Sequence, residues 1–99
     1  MDLTRFSKSL TATMPPAGLT TPLEALWWEA KGDWTKAHEI AQAQEDPTSS
    51  WVHAYLHRVE GDLGNASYWY RRAGRPVATG PFKTEWESLA TRFLASASL

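Results

Sequence analysis

The feature that most constrains this chain is an internal self-similarity at an offset of 29 residues. Gly32-Asp33-Trp34-Thr35-Lys36-Ala37 aligns with Gly61-Asp62-Leu63-Gly64-Asn65-Ala66. Upstream, Leu23, Ala25, Trp27 and Ala30 align with Val52, Ala54, Leu56 and Val59, and Pro47 and Pro76 close the two units. A fixed period of this size marks a repeated supersecondary unit, and such units bury their apolar faces by stacking on one another. Each recurring residue has a physical reason. Gly lets the chain reverse between two helices. Asp accepts from the free N–H groups of the second helix. A large apolar residue follows, and Ala at the close crossing lets the helices approach.

The apolar periodicity within each unit is helical. Thr21-Pro22-Leu23-Glu24 reads as an N-cap, a proline at N1 and a capping-box glutamate, followed by Leu23, Leu26, Trp27 and Ala30 at i, i+3, i+4, i+7. Asp33 opens a second helix carrying Trp34, Ala37, Ile40 and Ala41. Thr48-Ser49-Ser50 is the expected cap of a third, with Val52, Leu56 and Val59 as its stripe. Asp62 opens a fourth, which Gly74 and Pro76 stop. Pro81 opens a fifth, with Phe82, Trp86, Leu89 and Phe93 on one face. Leu3, Phe6 and Leu10 have helical spacing, and Pro15-Pro16-Ala17-Gly18 interrupts them.

Glycine-aspartate-aromatic followed by alanine and a distal proline resembles the tetratricopeptide repeat over residues 21–76. The period is shorter than that family's usual 34, the first helix of each pair is short, and His57 stands where an aromatic is common. The strings LWWEAKGDW and WVHAYLHRVEGDLGNASYWYRRAGRP are also similar to those of a group of small bacterial proteins, from which no functional residue carries over. The expected fold is all-α within one domain, 1–99. A short N-terminal helix or arm (1–19) precedes two antiparallel helix hairpins (21–47 and 48–76), and a capping helix (81–97) follows. The hairpin helices should span 22–44 and 50–73 in parallel register.

Composition narrows the function classes. Six Trp, three Tyr and three Phe can fill the core of so short a chain. The net charge of −1 gives no general footing for nucleic acid, although Arg71, Arg72, Arg75, Lys83 and Arg92 outnumber Glu85 and Glu87 in the last third. No cysteine is present, so disulfides and thiolate chemistry are excluded. No long apolar run and no secretory h-region is seen, so no membrane partner and a cytoplasmic location are expected.

No nucleophile elbow, phosphate loop or acid–base pair is found, and a non-enzymatic module that binds a protein, a peptide or a small ligand is the leading expectation. Its partner-binding residues are expected to be Trp51, Tyr55, Arg58, Arg71 and Arg72. Trp51, Tyr55 and Arg58 share one helix face, which in the resemblance lines the concave groove. Aromatic and Arg side chains dominate recognition patches, and an acidic peptide would suit this one. Two other classes compete. One is a metal- or histidine-dependent enzyme using His53, His57 and Glu60 at i, i+4, i+7, with His38 as the candidate for a fourth ligand. The other is a structural subunit that self-associates through exposed aromatics. No cofactor and no stoichiometric zinc are expected, because the His pair lacks further ligands.

Overall fold

In a computed structural model of the protein, residues 1–97 are described, and all regular structure among them is helical. After α1 (Leu3–Lys8) and a 3-10 turn (Ser9–Thr11) come α2 (Thr21–Ala30), α3 (Trp34–Gln42), α4 (Pro47–Glu60), α5 (Leu63–Ala73) and α6 (Phe82–Ala97). None of these helices is long and apolar enough to cross a membrane.

The internal repeat is visible in individual hydrogen bonds. Gly32 and Gly61 both adopt a left-handed conformation, with φ of 89° and 91°, which a side chain would strain. Asp33 N–H then returns to Trp28 O, and Asp62 N–H to His57 O, each at 2.9 Å. The Asp33 carboxylate accepts from Lys36 N–H at 3.0 Å, and that of Asp62 from Asn65 N–H at 3.2 Å. The two turns thus satisfy helix ends by the same bonds at equivalent positions. The aligned pairs Leu23/Val52, Ala25/Ala54, Trp27/Leu56 and Ala37/Ala66 are all buried.

Two helix starts differ from the sequence expectation. Thr20, not Thr21, occupies the N-cap of α2, and its side chain makes no capping bond. Pro47 opens α4 rather than closing the first hairpin. Asp46 is the cap, its carboxylate accepting from Ser49 N–H at 2.8 Å. A proline in the first helical turn costs nothing, since its missing N–H has no intrahelical partner there. Ser49 and Ser50 are consequently buried instead of capping.

The helices pack α2 on α3, α3 on α4, and α4 on α5, with α2 also touching α4. The C-terminal helix α6 covers the apolar face by lying back across α2 and α4, where it also meets α1. Trp86 pins it there. Its indole N–H donates to Leu26 O at 3.0 Å, and its ring stacks on Phe6 at 5.6 Å between centroids. The N-terminal arm is tied down in turn by Trp27, which donates to Ser9 Oγ at 3.0 Å, and by Lys31, which donates to Leu10 O and Ala12 O.

Ala37 and Ala66 have no exposed surface to speak of, at 0% and 1%. Extra methylenes in a packed core force neighbours off their rotamers at about 1–3 kcal/mol. Ala37→Leu and Ala66→Leu should each lower the denaturant midpoint accordingly. Variants as stable as the parent would refute close packing at these positions.

Candidate functional site

The face expected to carry a partner is largely interior. Tyr55 is 2% exposed and Arg58 8%, because α6 lies over this side of α4. The Arg58 guanidinium donates to Glu85 Oε1 at 2.8 Å and to Gly80 O, and it lies over the Phe82 ring. The Tyr70 hydroxyl donates to the other oxygen of Glu85. Tyr55 shares a hydrogen bond with Glu29, whose carboxyl is raised above the ordinary range by burial. Burial likewise pushes the Tyr55 and Tyr70 phenols upward. Tyr55 and Arg58 are therefore corrected from partner-binding to core residues. An exposed groove here would leave α4 unpaired against α6. Arg71 and Arg72 are exposed, and Arg72 donates to Tyr68 Oη at 3.2 Å.

Trp51 is half-buried and remains a surface residue, but its cationic neighbours are not those expected. Arg75 lies over its ring at 4.2 Å and Arg92 at 5.6 Å, while Phe93 meets it edge-on at 5.7 Å. These side chains border a cleft of about 450 Å³ that also takes in Asp46 and Thr48. The starts of α2 and α4 and the ends of α5 and α6 all meet at this cleft, so their opposed dipoles offset one another. Its sign is set by side chains. Neither Arg75 nor Arg92 has a carboxylate partner among the described residues, whereas both oxygens of Asp46 are engaged by Ser49. Both arginines are legible in the sequence as part of the basic excess of the last third, but Arg92 is brought to Trp51 only by the return of α6.

A second constellation lies between α3, α4 and α5. His38 of α3 meets His53 and His57 of α4, with one ring nitrogen of each within 4.8 Å of the others. His38 Nε2 and His53 Nε2 share a hydrogen bond at 2.8 Å. His57 Nδ1 and Glu60 Oε1 are 2.5 Å apart. The rings are held by tryptophans. Trp34 stacks on His38 at 4.8 Å between centroids, and Trp69 stacks on His53 at 3.9 Å. Trp34 is fixed by donating to Leu56 O at 2.7 Å. The triplet expected from helix spacing, His53, His57 and Glu60, is thus divided. Glu60 holds His57, and the third histidine is His38. His38 thus stands beside His53 and His57 as a third imidazole donor.

Burial, reinforced by the neighbouring His38 and His57, pushes the His53 imidazole down to about 4. Burial also lowers His38. No family model matches the chain, and no curated protein or solved structure matches it.

The depressed His53 value gives a pH dependence with a definite sign. Between about 4 and its ordinary 6.5, the unfolded chain binds a proton that the folded chain does not. This contribution to stability is complete above the upper value and is lost as pH falls toward the lower one. In metal-free buffer, an NMR titration should find the His53 ring still neutral midway between the two. The unfolding midpoint should fall through this window more steeply for the parent than for His53→Gln. A His53 ring that titrates at its ordinary value would contradict the assignment.

Proposed function

We propose that this chain is a small helical binding module, resembling tetratricopeptide-repeat hairpins, that takes an acidic peptide segment at the Trp51 cleft. The observation that supports this reading most is the pair of guanidinium groups over one indole ring, at 4.2 and 5.6 Å, neither of them ion-paired among the described residues. Guanidinium forks match carboxylates in two-bond geometry and keep their charge at any physiological pH. A half-buried tryptophan beside them offers apolar area that a peptide side chain can cover. Arginine and tryptophan are the types that carry most of the energy at such surfaces.

The reading is one of recognition rather than turnover. The cleft brings together no nucleophile with a base, and Asp46 is committed to capping α4. A peptide is favoured over nucleic acid because the chain's net charge is −1 and the basic groups at the cleft are two in number. That is too few for backbone-driven binding, which scales with the number of phosphates neutralised.

A glutamate-rich peptide and a lysine-rich control peptide test this with the full chain. The Trp51 indole N–H resonance should shift with the acidic peptide alone, and the affinity should fall as salt is raised. Arg75→Ala and Arg92→Ala, both at accessible positions, should each weaken binding by about tenfold or more, equivalent to about 1.4 kcal/mol. Binding unaffected by both substitutions, or an unmoved Trp51 signal, would place recognition elsewhere.

A further inference from the structure

The geometry points to a site for a divalent transition-metal ion of the zinc class, ligated by His38, His53 and His57, with Glu60 as the carboxylate that orients His57. This inference stands apart from the peptide-binding reading, since the two involve different residues.

Three imidazoles from two helices converge with ring nitrogens no more than 4.8 Å apart. Two nitrogens bound to one tetrahedral zinc at about 2.0–2.1 Å lie roughly 3.4 Å from each other. The His38–His53 separation of 2.8 Å is a proton-bridged contact slightly tighter than that. Replacing the shared proton by a metal requires the two rings to part by about half an ångström, a small side-chain rotation. His57 needs to close from its present place toward the same centre.

The bond between His57 and Glu60 is the second, independent observation. When His57 Nδ1–H donates to Glu60, the lone pair of that ring is on Nε2, one of the two nitrogens through which a neutral imidazole ligates a metal. No hydrogen bond among the described residues engages His57 Nε2. Asp62 adds a further negative charge within reach of His57 and Glu60, which favours a cation. Trp34 and Trp69 hold His38 and His53 in stacked orientations, so the ligands are ordered before a metal arrives.

The donor set also selects the ion. Imidazole nitrogens suit zinc, copper, nickel and cobalt, whereas magnesium and calcium demand oxygen. Three protein ligands leave a fourth position for water or an external ligand, the arrangement of open rather than closed zinc sites. His38 is the most exposed of the three, so exchange with solvent proceeds from its side.

The test uses the untagged full chain, stripped with a chelator and titrated with Co²⁺ and then Zn²⁺, with Mg²⁺ and Ca²⁺ as controls. One equivalent of Co²⁺ should bind with the intense visible bands of tetrahedral cobalt, and Zn²⁺ should displace it. His38→Gln, at the least buried of the three positions, should abolish the tetrahedral spectrum while circular dichroism reports an intact fold. Glu60→Gln should retain the spectrum but bind about 10–100-fold more weakly. A folded parent that takes up no cobalt would overturn the assignment. So would a folded His38→Gln variant that binds as the parent does.

Discussion

The buried pairing of Arg58 with Glu85 is the interaction on which the rest of the arrangement depends. It joins α4 to α6, and through Gly80 and Tyr70 it engages the connecting segment and α5 as well. An ion pair removed from water gains little over an apolar contact of the same shape, but each partner is very costly to leave alone. The pair therefore discriminates between arrangements more than it adds stability. With both charges at 9% exposure or less, a placement of α6 that covers either residue without joining the two buries an uncompensated charge. The apolar contacts of Trp86, Leu89 and Phe93 supply the attraction, and the ion pair fixes where along α4 it is satisfied.

Helix α4 shows how 14 residues can be divided among several tasks. Val52 and Leu56 enter the main core, and Ala54 contacts Ala66 and Tyr70 of α5 in a smaller one. Tyr55 and Arg58 face the returning α6. His53 and His57 turn toward α3, where they meet His38. Trp51, in the first turns, is left at the edge where α6 ends, and it is there that Arg75 and Arg92 reach it. The helix has no polar face of ordinary solvated character, since nine of its residues are buried. Its sequence is accordingly rich in side chains that combine apolar bulk with a polar tip.

What the sequence makes legible and what it hides follow from the range of the interactions. The helix pairs, the glycine turns and the aspartate caps depend on residues three to five apart, and the repeat displays them directly. Helix starts shift because Thr20 and Thr21 are chemically equal as caps, as are several hydroxyl residues after Asp46. The burial of Arg58 is invisible in the same way. An arginine on a helix reads alike whether it faces water or a carboxylate 27 residues on. His53 and His57 are legible as a pair from their spacing, whereas His38 joins them only because α3 packs on α4. The Trp51 cleft is hidden for the same reason, since Arg92 comes from a helix whose docking site no local pattern specifies.

Helix α6 is an integral wall of the fold, closing over α4, and not a detachable segment covering a groove. Native-state hydrogen exchange measures this directly. Opening free energies for the central amides of α6, around Leu89 and Ala90, should equal those of α4 around Ala54 and Leu56, and both should match global unfolding. Exchange from α6 at markedly lower free energy than from α4 would show that the helix lifts off on its own, and would contradict the account.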